Sequence, residues 1–347
     1  MTELTAGEQE TLEAVFQGLA IAVSRYGELD ADALSKTSET KIEKYIYQAL
    51  AANDDLDRVT HSWYLAGAKA DTPNNRYGKV TLRETFNSTF ATIEDSEGFV
   101  DNRPTKDFDD PRVSQYADFF IKEFNLEDAW FTNSKTFLLD FYEREAPEEF
   151  RDLYLSCQKL RMKLDRARGE IKGRMSDSPG DTKLSDFGTN STVSGPDFYE
   201  EVANLVSEIH VEMAKHKDLR EVLPEYRAFT DILEDAFLAL SQTSVDRLDD
   251  SQLQVFGKLR RFHYYEAWKL PSLVISIQTA TGPRADDLKL RRVRELESHR
   301  QSYLDDLDSL QNAAAEAALV PTNADYPSVA EENELINEFV RQYSLDL

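Results

Sequence analysis

Three side chains with metal-ligating chemistry recur on one predicted helix near the middle of the chain. Glu208, Glu212 and His216 follow one another at intervals of four residues, so a helix places them on one face. Di-metal helical bundles instead use Glu-x-x-His on each of two helices, and the sequence contains no Glu-x-x-His. The trio lies opposite an apolar seam, which is typical of a solvated helix face. We therefore predict no metal site and no cofactor.

The best-marked enzyme motifs are missing from the sequence. It has neither a P-loop nor a dinucleotide-binding glycine motif, and it lacks Gly-x-Ser-x-Gly and His-Glu-x-x-His. Cys157 is the single cysteine, which excludes an internal disulfide and a cysteine-based zinc cluster. The sequence therefore assigns no catalytic residue and argues against these enzyme classes.

A short alternating segment, "RVTHSWYLAG" (58–67), contains the residues that best fit a pocket. Strand periodicity puts His61 and Trp63 on one face and Ser62 and Tyr64 on the other. His61 has no Asp, Glu or Cys partner at a spacing that would indicate a catalytic triad or a metal site. We therefore interpret His61 as structural. The candidate pocket residues are His61, Ser62 and Tyr64.

Basic residues cluster in three places, at 159–174, 258–261 and 284–294, which suggests a surface for nucleic acid. The candidate phosphate contacts are Lys163, Arg166, Arg168, Lys172, Arg174, Arg291, Arg292 and Arg294. In an antiparallel helical hairpin, however, the first five would face the acidic residues of the next helix, and interhelical ion pairs would then absorb their charge. Both interpretations stay open from the sequence.

The elements that carry these residues are mostly helices. The predicted helices include 6–26, one that Thr37 or Ser38 caps, and a long one at 285–318. Residues 79–86 fit either a second strand or the start of a helix, and residues 272–282 are equally ambiguous.

The chain is predicted to be mainly α and to form two domains. Residues 1–110 are expected to form a small α+β domain, and residues 111–347 an elongated helical domain. The second contains an antiparallel, coiled-coil-like hairpin at 148–217 with a flexible tip at 175–197. Its first helix has apolar residues at heptad spacing, namely Leu153, Cys157, Leu160, Leu164, Ala167 and Ile171.

The charge is strongly negative along the whole chain. There are 65 acidic and 40 basic residues, for a formal net charge of −25. Such a charge destabilises a compact protein in dilute salt, and molar salt screens the repulsion over about 3 Å. Dispersed acidic residues with few lysines are typical of a halophile that accumulates salt in its cytoplasm.

The start of the sequence has no basic segment followed by an uninterrupted apolar core, and no window approaches 18 apolar residues. We expect a cytoplasmic protein with no membrane contact. A heptad seam of three repeats serves a hairpin or a homo-oligomer equally well.

A family resemblance adds to this interpretation. The segments "KIEKYIYQA" (41–49) and "HSWYLAGA" (61–68) resemble the helix and aromatic strand of the Panacea domain of SocA-like antitoxins, over residues 41–110. The family's Gly-Pro is replaced by Gly67-Ala68. The same two segments also resemble a group of uncharacterised haloarchaeal proteins. The resemblance implies a regulatory or interaction role, often linked to toxin neutralisation, and transfers no catalytic residue.

The sequence thus favours a cytoplasmic regulatory protein that binds a protein partner. The alternative is a DNA- or RNA-binding regulator that uses the N-terminal domain and the basic helices. In molar salt this alternative is penalised, since binding through five phosphates weakens by roughly four to five orders of magnitude for tenfold more salt.

Overall fold

The computed structural model describes residues 3–25, 37–72, 79–94, 100–104, 110–176, 196–243 and 248–320, and the fold is mainly α, as predicted. The helices within these ranges are α1 (Ala6–Arg25), α2 (Glu39–Ala52), α3 (Lys79–Thr89), α4 (Pro111–Asp118), α5 (Leu126–Phe131), α6 (Ser134–Glu145), α7 (Arg151–Ser176), α8 (Pro196–Lys215), α9 (Leu223–Gln242), α10 (Asp250–Phe262), α11 (Lys269–Thr279) and α12 (Ala285–Glu316). The strands are β1 (His61–Tyr64), β2 (Gly67–Ala70), β3 (Phe90–Glu94) and β4 (Val100–Pro104). Most of the predicted tip at 175–197 lies outside these ranges.

Helix α1 begins with a capping box. The backbone N–H of Thr5 donates to Glu8 Oε2 at 2.8 Å, and the N–H of Glu8 donates to Thr5 Oγ1 at 3.2 Å. Leu12, Phe16 and Leu19 then recur at helical spacing and are buried where α1 packs against α3 and α4. The cap fixes where the helix starts, and the apolar face fixes which side it buries.

Helix α2 starts at one of the two caps expected from the sequence. The hydroxyl of Ser38 accepts a hydrogen bond from the backbone N–H of Lys41 at 3.2 Å. Ile42 and Ile46 lie one turn apart on the buried face. The ambiguous segment at 79–86 is helical, since it forms most of α3.

Strands β1 and β2 form a tight antiparallel hairpin in which Ser62 pairs with Lys69. Gly67 closes the turn with a φ of +90°, a conformation that residues with a Cβ rarely adopt. The free edge of β1 is held by the segment after α11, because the backbone groups of His61 and Thr281 exchange hydrogen bonds of 3.1 and 3.0 Å. Strands β3 and β4 form a separate antiparallel pair.

An aromatic cluster holds β1 against the helices. The ring of Trp63 stacks on Phe141 at 5.5 Å between centroids and meets Tyr154 edge-on at 5.3 Å. Tyr47 from α2 contacts both Trp63 and His61 through ring edges. Such contacts add about 0.5–1.5 kcal/mol per pair beyond the burial of area, so β1 is firmly positioned.

The chain forms two compact units. The first comprises Met1–Met162, Leu205–Tyr226 and Phe262–Tyr303, and the second comprises Lys163–Asn204, Arg227–Arg261 and Leu304–Leu347. In the second unit Phe237 lies between Phe198 and Phe256, with centroid distances of 5.7 and 5.4 Å. The domain division proposed from the sequence, 1–110 and 111–347, stays a prediction.

Helices α7 and α8 form the predicted antiparallel hairpin. In the first unit, the Phe150 ring just before α7 lies 4.8 Å from the His216 ring, and Ser156 donates to Glu208 at 3.0 Å. In the second unit, Lys163 pairs with Glu201. Residue numbers fall along α8 as they rise along α7, so the helices run in opposite directions. The heptad residues of α7 are buried.

Candidate functional site

A buried ion-pair network in the first unit joins α1, β2 and α12. Arg284 Nε donates to Glu8 Oε2 at 2.7 Å, and Arg284 Nη1 donates to Asp71 Oδ2 at 2.9 Å. The Glu8 side chain is 0% exposed and that of Arg284 is 8% exposed. The backbone N–H of Thr60 donates to the second oxygen of Glu8 at 3.1 Å. The network therefore ties the start of α12 to both strands of the hairpin.

The network keeps Glu8 ionised. Burial by itself raises the pKa of this carboxyl, but hydrogen bonds from Arg284, Thr5 and Thr60 outweigh burial and lower the pKa to about 2. A carboxylate with a lowered pKa stabilises the fold above its ordinary pKa, and this contribution is lost as the pH falls towards 2.

Beside this network lies an open polar cavity of about 330 Å³, which we call the β2 cleft. Its lining residues are Ser62, Lys69, Ala70, Asp71, Thr72, Leu288 and Arg292. Because Ser62 and Lys69 are opposite each other in the hairpin, their side chains project from the same face of the sheet. The sheet supplies one wall of the cleft and the inner face of α12 supplies the other.

The cations of the β2 cleft are each anchored by a carboxylate. Lys69 Nζ lies 2.8 Å from Glu43, and Arg292 Nη1 lies 2.7 Å from Glu295. The guanidinium of Arg292 also covers the ring of Tyr64 at 3.9 Å. These contacts restrict the rotamers of both cations, so their positions are set before any ligand arrives.

Two serine hydroxyls connect Arg292 to the sheet. Arg292 Nε donates to Ser276 Oγ at 3.1 Å, and Ser276 Oγ lies 2.7 Å from Ser62 Oγ. Both hydroxyls are buried, with Ser62 2% and Ser276 0% exposed. The cleft thus combines hydroxyl, ammonium and guanidinium donors, a set that suits an oxyanion.

The three residues expected to form a pocket lie in different surroundings. Ser62 lines the β2 cleft. His61 is buried, its Nδ1 lies 2.9 Å from the Val59 carbonyl oxygen, and burial lowers its pKa. Tyr64 donates its hydroxyl to Glu295 at 3.1 Å. These positions agree with a structural role for His61, whereas a functional role for the trio stays a prediction.

The basic residues of α7 that were considered for nucleic acid make contacts within the second unit. Lys163 pairs with Glu201, and Arg166 Nε lies 2.7 Å from Glu170. Arg168 lies against the backbone of Gly257. Lys172 is exposed, and the side chain of Arg174 lies outside the described part of the chain. Lys163–Glu201 joins α7 to α8, which is the kind of pair that the hairpin interpretation predicted, whereas Arg166–Glu170 lies within α7. The nucleic-acid role of these residues stays a prediction.

The three predicted residues on α12 have different environments. Arg292 lines the β2 cleft, Arg291 pairs with Asp71 at its rim, and Arg294 is exposed to solvent. Of these three residues, only Arg292 lines the β2 cleft together with Ser62.

The trio Glu208, Glu212 and His216, on α8 and directly after it, has separate partners. Glu208 accepts from Ser156 at 3.0 Å, Glu212 pairs with Lys215 at 2.6 Å, and the ring of His216 contacts that of Phe150 at an interplanar angle of 43°. In the ranges that the structure covers, no group of three His, Cys, Asp or Glu residues is placed to hold a metal ion.

The outer face of α12 carries exposed apolar residues. The side chains of Leu290 and Val293 are 56% and 39% exposed and lie one helical turn apart. Lys289, Arg291 and Arg294 are their neighbours in the sequence, and Arg291 is paired with Asp71. We call these five residues the α12 patch. It combines two large apolar side chains with three cations in a chain of net charge −25.

A buried lysine supports the β2 strand from the side of α2. Lys44 is 0% exposed, and its Nζ donates to the carbonyl oxygen of Ala68 at 2.6 Å. Burial lowers the pKa of Lys44 to about 8, partly offset by Glu43 at 3.6 Å. The folded protein therefore releases this proton at a lower pH than the unfolded chain.

We expect the stability of the protein to rise by about 1 kcal/mol per pH unit between about pH 8 and 9.5, because the unfolded chain then binds more protons than the folded one. Lys44→Met should flatten this rise, and Lys122→Met, on an exposed helix face, should preserve it. Urea unfolding across the pH series measures both. At higher pH the stability should instead fall, because burial raises the pKa of tyrosines such as Tyr45. The unfolded chain then loses tyrosine protons that the folded protein keeps. An unchanged slope in Lys44→Met would assign the effect to another group.

The sequence patterns did not indicate a role for Glu8 or Ser276, and they placed Arg284 only within the third basic cluster. Thr5-x-x-Glu8 before an apolar run is a recognisable capping-box signal. For Arg284 and Ser276 no local pattern exists, since Thr60 and Ser62, which they contact at the hairpin, are more than 200 positions away.

Along the described ranges, no helix is both long and apolar enough to cross a membrane.

Comparisons with known proteins place the chain in a family. Searches of curated proteins and of solved structures found no match. A family model described as "Domain of unknown function (DUF8098)" matches residues 1–345. Because this match spans almost the entire chain, the protein belongs to the DUF8098 family.

Proposed function

We propose that this protein is a cytoplasmic regulatory protein of a halophile that acts by binding a partner protein. The α12 patch carries the proposal, because Leu290 and Val293 are exposed together on a helix whose opposite face is buried. Large apolar side chains beside cations are typical of protein-binding surfaces. The apolar contact also suits molar salt, which screens ion pairs but leaves apolar burial intact.

The charges of the patch indicate the chemistry of the partner. Lys289, Arg291 and Arg294 favour acidic side chains around the apolar pair, and they repel a basic surface. An amphipathic helix with apolar residues three and four positions apart and acidic flanks fits this surface. The resemblance of residues 41–110 to the Panacea domain supports a toxin–antitoxin or defence setting for such a partner.

A DNA- or RNA-binding regulator is the second candidate, and the exposed Arg291 and Arg294 support it. Two observations favour a protein partner. The exposed apolar side chains of Leu290 and Val293 offer no favourable contact to phosphate groups. The cations Lys163 and Arg166 on α7 are already paired with carboxylates. Nucleic-acid binding is therefore an outcome to be tested alongside protein binding.

The proposal predicts that Leu290→Glu combined with Val293→Glu weakens partner binding by at least about tenfold, because both buried contacts are lost. The protein is purified from a halophilic host under molar KCl, a stoichiometric partner is identified by mass spectrometry, and its affinity for each variant is measured. Val211→Glu is the control, since Val211 is a 57% exposed apolar residue on a different helix, α8.

Three results would decide against this surface or this function. Equal affinity of the patch variant and wild type would remove the α12 patch as the contact. Ultraviolet absorbance of nucleic acid that survives molar KCl and disappears in Arg291→Glu with Arg294→Glu would favour the second candidate. A second copy of this chain as the stoichiometric partner, lost in the patch variant, would show that the patch is an oligomer interface.

A further inference from the structure

Arg292, Ser276 and Ser62 form a hydrogen-bonded series that we call the serine chain. The positions of its protons decide whether Ser62 can donate to a ligand in the β2 cleft. Ser276 is 0% exposed, and its oxygen accepts from Arg292 Nε at 3.1 Å. Among the described residues, Ser62 Oγ at 2.7 Å is the acceptor available to the Ser276 proton. Either hydroxyl can be the donor in this pair; when Ser276 donates to Ser62, Ser62 keeps its own proton for another partner. Since Ser62 lines the cleft, that proton is then available to a ligand in the cleft.

Two further donors of the cleft remain available. The Nη2 group of Arg292 and the hydroxyl of Thr72 have no hydrogen-bond partner within the ranges that the structure describes. Lys69 Nζ contacts Glu43 and keeps protons for other acceptors, because an ammonium group has three. Hydroxyl, ammonium and guanidinium donors thus approach the same space from the sheet and from α12.

The charge around the cleft is positive although the chain is strongly acidic. Ion pairs connect six cationic side chains to four carboxylates. The cations are Lys44, Lys69, Lys269, Arg284, Arg291 and Arg292, and the carboxylates are Glu8, Glu43, Asp71 and Glu295. The charged residues that line the cleft itself are the cations Lys69 and Arg292 and the carboxylate of Asp71, so the net charge of the lining is positive and favours an anion.

The cavity is larger than a bare oxyanion requires. Its volume of about 330 Å³ equals roughly eleven water molecules at about 30 Å³ each. Leu288 and Ala70 add apolar surface to the polar lining. A ligand that fills the space therefore carries a small organic part beside its anionic group.

From the donors, the charge and the volume, we propose that the β2 cleft binds the phosphate group of a small phosphorylated metabolite. The hydroxyl of Ser62 and the cations Lys69 and Arg292 hold the phosphate oxygens, and Leu288 contacts the organic part. This site lies on the inner face of α12 and does not depend on partner binding by the outer face.

The test uses the full chain in molar KCl with glycerol 3-phosphate, inorganic phosphate and succinate as probes. Isothermal titration calorimetry should show saturable binding of glycerol 3-phosphate, tighter than that of inorganic phosphate. Ser62→Ala and Lys69→Met should each weaken it by at least about tenfold, as expected for a lost hydrogen bond to a charged group.

Two matched controls separate the site from general effects. Ser272→Ala removes another fully buried serine hydroxyl of α11, and Lys122→Met removes another lysine that is paired with a carboxylate. Both should bind the ester like wild type, and urea unfolding confirms that all four variants fold. Absence of binding to wild type, equal binding by Ser62→Ala and Lys69→Met, or tighter binding of succinate or inorganic phosphate than of the ester would each overturn the proposal.

Discussion

Replacing Arg284 by methionine is expected to lower the free energy of unfolding by about 3–5 kcal/mol, because the change leaves a buried carboxylate without its partner. Glu8 is 0% exposed and receives the Arg284 Nε at 2.7 Å. Methionine retains much of the apolar length of arginine, so lost packing contributes little to the expected difference. Urea unfolding at constant KCl concentration measures the effect.

The matched control for this substitution is Arg291→Met. Arg291 pairs with Asp71, as Arg284 does, but its side chain is 45% exposed. A solvent-exposed ion pair contributes about 0–1 kcal/mol, so this variant should remain close to wild type. A similar loss in both variants would mean that burial does not set the strength of the network.

A second substitution tests the physical cause. Adding Glu8→Gln to Arg284→Met removes the unpaired charge while keeping the shape of the side chain, and it should recover part of the lost stability. The wild-type protein should also lose stability as the pH falls from about 4.5 towards 2, where the Glu8 carboxylate becomes protonated. If the double variant is less stable than Arg284→Met alone, the buried charge is not the source of the penalty.

Local patterns in the sequence were sufficient to predict the longest elements. The predicted helices at 6–26 and 285–318 correspond to Ala6–Arg25 and Ala285–Glu316. In each helix, apolar residues recur at helical spacing over many turns, so this periodicity alone is sufficient to locate the helix. The heptad residues of α7 likewise predicted a buried seam, and they are buried.

One of the two ambiguous segments is buried over most of its length. Residues 272–282 read equally well as strand or helix, and most of them form α11. Leu273, Val274 and Ile275 are consecutive and all buried, so no polar face reveals the helical period. Tertiary packing decides the conformation of such a segment, and the sequence does not report that packing.

The candidate site was only partly accessible from sequence. Alternation placed Ser62 on a strand face opposite His61, and Ser62 does line the β2 cleft. Its partner Ser276 is 214 positions away, and Arg292 is on a third element. Contacts between elements that are distant in the chain produce no periodic pattern in a single sequence. The serine chain and the ion-pair network could therefore be identified only from the structure.

The last large effect concerns Gly282, where the backbone approaches β1. Gly282 has a φ of +97°, and an added Cβ would lie 2.6 Å from Thr60 Cα and 2.7 Å from the Val59 carbonyl oxygen. Both neighbours are backbone atoms, which cannot move away as the end of a flexible side chain can. Gly282→Ala is therefore expected to lower the free energy of unfolding by about 3 kcal/mol or more, from backbone strain and overpacking together.

Gly169→Ala gives the matched comparison with the opposite expected sign. Gly169 lies inside α7, and an added Cβ there would meet nothing within 4 Å. Alanine should stabilise the helix by about 0.5–1 kcal/mol, because it restricts the unfolded chain and favours helical backbone. Urea unfolding of the two variants should therefore give shifts in opposite directions, and a stable Gly282→Ala protein would contradict the close approach of this turn to β1.

The position of Gly282 links this prediction to the β2 cleft. Thr281 beside it exchanges backbone hydrogen bonds with His61, and Arg284 two residues later donates its backbone N–H to Thr60 Oγ1 at 2.8 Å. A Cβ at Gly282 would push this turn away from β1, which carries Ser62, and would separate Ser62 from the α11 serine. Any Gly282→Ala protein that still folds should consequently bind glycerol 3-phosphate more weakly than wild type, whereas Gly169→Ala should bind it equally well.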